Sequence, residues 1–284
     1  MVRSGARSRV ARRLLRHRSF VTGAGLFVVV VLVAALADLI APTAPATMQF
    51  RFRFTPPSPA FWLGTDNFGR DLLSRVVYGA RLSLEIGFSV VVLTGIAGTV
   101  VGAAAGYFRR LDAWLIGAMD ALMAFPTVLL AIGITAALGP SAMNAVLALT
   151  LVYTPRTARI VRASVLVIRE LDYVQAALAA GARPGRILAR HILPNSLGPL
   201  IVQLTFIFAY AVLAEAILSF LGMGPQPPTP TWGNIIAEGR TYIREAPWIS
   251  LFPGIAIALT VLGLNLLGDG LRDALDPRMK VQPG

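Results

Sequence analysis

Side chains able to carry out covalent or metal chemistry are few in this sequence, and their spacing builds no reaction centre. The 284 residues include no cysteine and two histidines, His17 and His191, which excludes a disulfide framework and leaves a zinc site without ligands. A phosphate-binding loop ending in Gly-Lys-Ser/Thr needs a lysine followed by a hydroxyl residue. The single lysine, Lys280, is followed by Val281. No cofactor or metal is therefore expected, and the chain is not expected to be an enzyme. What remains are carboxylates set inside long apolar runs, where an ionisable group is costly and invites a functional reading. Asp120 and Glu215 are candidates for the path of a transported solute or for polar pairing between helices, and Glu85 for contact with the outer interface.

The elements that position these groups are apolar spans. The chain is 56% hydrophobic and 14% charged, with a mean hydropathy of +0.68, more apolar than one soluble core can hide. About 20 residues cross a hydrocarbon core, and six runs qualify: 20–40, 82–107, 113–138, 142–157, 197–221 and 249–267. The first is read as a retained span, not a cleaved leader. A net charge of +12 would suggest nucleic acid in a soluble protein, yet the arginines cluster between spans and no soluble region is left for a basic groove. Nucleic acid is therefore not an expected partner, and membrane lipid is. With both termini in the cytoplasm, 19 of the 26 basic residues fall on that side, as the positive-inside rule prefers. The expectation is an all-α protein with six transmembrane helices. Residues 1–19 form a basic cytoplasmic arm, 20–81 the first span and outer loop, 82–272 a core of five spans, and 273–284 a cytoplasmic tail.

Between spans, Asp71-Leu72-Leu73-Ser74-Arg75-Val76-Val77 has the apolar spacing of a helix lying on the membrane face. Trp232 and Trp248 read as interfacial anchors. Gly98, Gly102 and Gly106 recur at four-residue spacing and allow close helix approach, while Pro126 and Pro253 are expected to kink their spans. The outer segment 222–247 carries a stiff proline run and the charges Glu238, Arg240, Arg244 and Glu245. It is longer than a passive connection needs and suits either a docking surface or a plug that packs Trp232 and Ile235 inward.

The segment 156–193 is long, basic and helical in pattern. Tyr173-Val174-Gln175-Ala176-Ala177-Leu178-Ala179-Ala180-Gly181-Ala182-Arg183 is a slim alanine helix that ends on a glycine, with Pro184 discouraging its continuation. Composition alone reads it as a surface helix between spans. Its spacing, with Leu193-Pro194 downstream, resembles the EAA motif of binding-protein-dependent ABC importer permeases. Gln175 stands where that motif has glutamate, so a role resting on the carboxylate is not carried over. Leu63 to Arg75, Leu218 to Gly222 with Trp232-Gly233, and Asn265 to Arg278 narrow the resemblance to the C-type permease of the dipeptide, oligopeptide and nickel family.

The resemblance implies a type I ABC importer permease fold with a cytoplasmic coupling helix near 173–186, in a bacterial inner membrane. Tyr173, Gln175, Ala176, Ala177, Gly181, Ala182, Arg183 and Arg186 would seat in an ATPase groove. The implied partners are a second permease, two ATP-binding subunits and an extracytoplasmic substrate-binding protein, for which Trp232, Arg240 and Arg244 are the docking candidates. Peptides are the implied cargo, with nickel or another small solute as the alternative. A secondary transporter would be expected to show coupling charges at mid-membrane and an internal repeat, and a membrane enzyme a nucleophile with its base.

Overall fold

The computed structural model describes residues 14–15 and 17–275, so most of the expected basic arm, Lys280 and the Asp276-Pro277-Arg278 end of the last motif lie outside the described residues. Among the described residues there is no β-strand, only an isolated bridge between Thr65 and Asp71. The helices of eight residues or more are α1 (Arg18–Ala35), α2 (Leu72–Tyr107), α3 (Arg109–Met123), α4 (Thr127–Leu138), α5 (Ala142–Ile168), α6 (Asp172–Ala179), α7 (Pro184–Phe220), α8 (Trp232–Gly239) and α9 (Trp248–Leu275).

Four of these, α1, α2, α7 and α9, are long and apolar enough to cross a membrane, and α3 with α4 makes a fifth crossing if the pair is counted as one bent span. The run expected as the fourth span forms the 27-residue helix α5, which is not among these candidates. Arg156, Arg159 and Arg162 lie within it, which keeps it out of that apolar set. It also continues well beyond the expected stop near Thr157, because Pro155 is accommodated inside the helix.

Two other expectations are corrected. Asp71–Val77 is no separate surface helix: α2 starts at Leu72 and runs unbroken for 36 residues. Asp71 caps it, its carboxylate accepting the Ser74 N–H at 2.7 Å, and nothing between Val77 and Leu82 interrupts the hydrogen-bond ladder. Pro126 produces a break rather than a kink, with α3 and α4 meeting at 90°. Pro cannot donate to the preceding turn and disfavours helical backbone in the residue before it. Pro253, by contrast, is carried inside α9. A π-helical segment at Leu188–Ile192 interrupts α7 without any proline at its centre.

α7 is central, packing on α2, α5 and α9, while α1 lies along α9 and α2 along α5. The α2–α5 seam shows why glycines recur in α2. A Cβ on Gly98 would lie 2.5 Å from the Thr157 Cβ, one on Gly102 2.4 Å from the Ala158 carbonyl oxygen, and one on Gly106 2.8 Å from the Val165 Cβ. Gly102 faces backbone, which cannot move aside. Gly102→Ala is accordingly expected to lower stability in detergent by about 1–3 kcal/mol, the usual cost of overpacking. Gly25→Ala in α1, where an added Cβ meets nothing within 4 Å, serves as the control. Equal unfolding midpoints for the two variants would show that the seam tolerates separation.

Candidate functional site

At one end of the bundle α6 stands out from the protein. Val174 is its one buried residue, packed with Val161, Val165 and Ile168 of α5 and with Ile187 and Ile192 of α7. Tyr173, Gln175, Ala176, Gly181, Arg183 and Arg186 are exposed, and Ala177 and Ala182 are half-buried. The helix ends in a left-handed turn at Gly181, φ +80°. The Ala182 N–H donates to the Ala177 carbonyl at 3.0 Å and the Gly181 N–H to the Leu178 carbonyl at 2.9 Å, the paired bonds of a Schellman cap. Pro184 then opens α7, where its missing N–H costs nothing.

Side chains fix the angle at which α6 leaves the bundle. The Gln175 amide donates to the Arg169 carbonyl at 2.8 Å, and Asn195 donates to the Tyr173 hydroxyl at 3.2 Å. Arg169 in turn donates to the Gly106 carbonyl at 2.9 Å. Arg162 holds Asp112 of α3 through two bonds at 2.5 and 2.6 Å, and Arg159 holds Asp120 at 2.6 Å. Asp120 is thus an interhelix ion-pair partner, and a displacement of α6 is linked through α5 to both α2 and α3.

The opposite end is closed by a cap built from the 41–71 connection and α8. At its centre is an ion cluster that sequence reasoning missed. Asp66, fully buried, accepts Arg70 Nε at 2.6 Å and Arg75 Nη1 at 2.7 Å. Glu238 of α8 bonds Arg75 at 2.7 and 3.1 Å and also bonds Arg70. The other Asp66 oxygen accepts the N–H groups of Phe68 and Arg70 at 2.8 and 3.0 Å. Two acids and two arginines therefore balance one another's charge, as buried charges require, and only the Arg75 Nε within the cluster is left without a hydrogen-bond partner. The available signal was Asp66 and Arg70 at four-residue spacing, with a third charge at Arg75 just inside an apolar helix.

The cap corrects the expectation for Trp232. That residue is 1% exposed, and its indole N–H donates to the Val76 carbonyl at 3.0 Å, so it is an internal strut and neither a membrane anchor nor part of an outer surface. An indole inserted among Ala80, Leu84, Val212 and Ala216 buries far more area than one at an interface. Trp248 likewise donates to the Thr65 carbonyl at 3.0 Å, and Glu238 points into the cluster. Arg240 and Arg244 remain on the surface, Arg240 lying 5.4 Å from the Phe220 ring centroid. Glu215 is fully buried on α7, accepting the Ser219 hydroxyl at 2.6 Å. Glu85 is exposed. The Tyr78 hydroxyl and Arg81 both donate to the Asp38 carboxylate, at 2.6 and 3.0 Å. Among the described residues no group of three or more His, Asp or Glu side chains is placed to hold a metal ion.

Comparison with known proteins places this geometry in context. Residues 97–281 match the family model of binding-protein-dependent transport system inner membrane components, and residues 7–57 match the N-terminal TM domain of oligopeptide transport permease C. A putative peptide transport system permease protein of Brucella abortus is 59% identical over 96% of this chain and 92% of its own length. The dipeptide transport system permease protein DppC of Alkalihalophilus pseudofirmus is 46% identical over 95% of this chain and 89% of its own. Among solved structures, an inward-facing conformation of the MetNI methionine ABC transporter aligns with a TM-score of 0.59 at 19% identity, covering 77% of this chain and 99% of that chain.

Proposed function

Because this chain belongs to the binding-protein-dependent transport system inner membrane components, the membrane-spanning permeases of ABC importers, we propose that it forms half of a translocation path for short peptides, driven by separate ATPase subunits. The peptide cargo rests on relatives whose names assign them dipeptides or peptides at 41–59% identity. The observation that carries the mechanism is α6 itself. An exposed alanine helix, anchored by Val174 and ended by a rigid cap, is a handle for another protein rather than part of this chain's own core.

In this reading the α6 end is cytoplasmic, as are both termini, in keeping with the 19 basic residues assigned to that side. Two ATPases each hold one permease's short helix in a groove, into which Ala176 and Ala177 fit because they carry little bulk, while Tyr173, Gln175, Ala182, Arg183 and Arg186 contact the rim. ATP-driven approach of the grooves moves α6, and the links from α5 to α2 and α3 carry the motion into the bundle. A second, non-identical permease completes the path. Asp120 serves as a strut on that route, and Glu215 as a buried polar contact between spans.

The test is reconstitution of this chain with its partner permease, two ATPases and receptor in vesicles. ATP-dependent uptake of a labelled dipeptide, lost on removing Mg-ATP, is the expected result. Uptake of nickel chelates but not of peptides would replace the cargo, and uptake driven by an ion gradient without ATP would overturn the function.

The loaded receptor docks on the α8 cap, with Arg240 and Arg244 as rim contacts and Trp232 acting only by holding α8 in place. Rim charges govern encounter rate and its salt dependence. Reversing both arginines to glutamate should reduce receptor-stimulated ATP hydrolysis on the order of tenfold at low salt and much less at high salt. An unchanged salt profile would remove these two residues from the docking surface.

A further inference from the structure

Three arginines recur at three-residue spacing along α5 and are treated differently by the fold. Arg162 is ion-paired to Asp112 and Arg159 to Asp120. Arg156, the one farthest from the α6 end, has no carboxylate partner among the described residues. It sits about 21 Å along the helix from Ala142 at 1.5 Å per residue, half-buried between Pro155 and Thr157. A partly buried charge is costly unless it is paired or faces a wet cavity.

Arg156 does face a cavity. An open space of about 470 Å³ is lined by Arg156, Arg159, Met123, Gln203, Phe206 and Tyr210. It adjoins a second space of about 680 Å³ that shares Gln203 and Phe206 and reaches Asn195 and Arg272 toward the α6 end. No acidic side chain lines either space. The Arg156 guanidinium lies 5.8 Å from the Tyr210 ring centroid, and the Tyr153 hydroxyl donates to the Tyr210 carbonyl at 3.2 Å, holding that part of α7 in place. A cation stacked on an aromatic face keeps the N–H edges of its fork available.

We propose that Arg156 is a binding point for the C-terminal carboxylate of the peptide on its way through this subunit toward the α6 end. The proposal rests on the peptide reading above and adds the group that recognises it. The planar fork accommodates both carboxylate oxygens, Gln203 offers a further amide donor from the facing helix, and Met123 and Phe206 supply apolar surface for side chains. The absence of acids leaves the guanidinium uncompensated until an anionic cargo arrives. Arg159, which lines the same space, is already paired with Asp120.

The adjoining space reaches Asn195, whose amide bonds Tyr173 of α6, so the test approaches from that side and bypasses the receptor. In vesicles holding the full complex with α6 facing the lumen, import of a labelled dipeptide is measured while unlabelled dipeptide, or the same dipeptide with a C-terminal amide, is trapped inside. The expected result is that the free acid halves wild-type import at a concentration about tenfold below the amide, the lower end of what a charge-assisted hydrogen bond produces. Arg156→Gln should bring the two concentrations together, while Arg156→Lys should keep part of the preference. Equal inhibition by acid and amide in the wild type would overturn the proposal without recourse to any variant. So would an undiminished preference in Arg156→Gln, as expected if Arg156 is instead paired with a carboxylate of the second permease. If the wild-type complex imports no peptide at all, the cargo reading fails first and this site fails with it.

Discussion

Gly181→Val is expected to abolish coupled import while leaving the chain inserted and the complex able to hydrolyse ATP. Gly181 adopts φ +80°, a region where an ordinary L-residue costs roughly 1–2 kcal/mol and a β-branched one more. Space is not the obstacle, since an added Cβ would meet nothing within 4 Å. The damage is therefore confined to backbone geometry. The Schellman bonds from Gly181 and Ala182 loosen, α6 ends differently, and the angle between α6 and α7 is no longer defined. A handle without a fixed angle turns in its groove instead of moving the bundle. The measurement is ATP hydrolysed per peptide imported, and the number should rise steeply because import falls toward zero. Gly181→Asn gives the discriminating comparison, as asparagine tolerates the left-handed region, and should retain most coupling. Wild-type coupling in Gly181→Val would remove α6 from force transmission.

Asp66→Ala is expected to be the most destabilising single change in the α8 cap. Removing one partner from a buried ion cluster leaves charges uncompensated and costs about 3–5 kcal/mol. Here both Arg70 and Arg75, 3% and 1% exposed, would be left with Glu238 alone, and the N–H groups of Phe68 and Arg70 would lose their acceptor. Glu238, whose side chain is 20% exposed, is better reached by water, so Glu238→Gln should cost less. Limited proteolysis of 222–247 and thermal unfolding in detergent both report on the cap. Cutting should accelerate markedly in Asp66→Ala and modestly in Glu238→Gln. An Asp66→Ala protein with an unchanged cutting rate would show that the cap is held by its apolar core of Leu72, Ile235, Ala246 and Ile249 and not by the ions.

The two variants bear on opposite ends of the molecule and should separate cleanly. Loosening the cap disturbs the surface that presents Arg240 and Arg244 and should lower receptor stimulation. Loosening the α6 turn should leave receptor stimulation in place and waste it.

Local pattern was enough for much of this protein. Long apolar runs announce spans because a helix in hydrocarbon must satisfy its own backbone, and α1, α7 and α9 lie where the runs lie. The run of alanines before Gly181 and Pro184 specifies a short capped helix, because the cap is made within six residues of chain. The Gly98, Gly102 and Gly106 spacing specifies a close helix seam, since only the period of one helix is involved. Pattern fails where a competing local feature changes the geometry without changing the hydropathy. Pro126 sits in a span-like run, yet the chain turns through a right angle there. Asp71 begins a helix that reads as separate from α2 only because charged Arg75 and Arg81 interrupt the apolar count.

What only the tertiary structure decided is the partnership of residues distant in sequence. Whether Trp232 faces a receptor or a core depends on Val76 and Leu84 of another helix, and whether Glu238 is a surface charge depends on Arg70 and Arg75. The same holds along α5, where three arginines look alike in sequence and differ only in what α3 places beside them: Asp112, Asp120, and for Arg156 no acid among the described residues. Hydrophobicity and helix propensity are properties of short windows and can be read from them. Burial and charge compensation are sums over neighbours brought together by folding, and those neighbours are known only once the helices have packed.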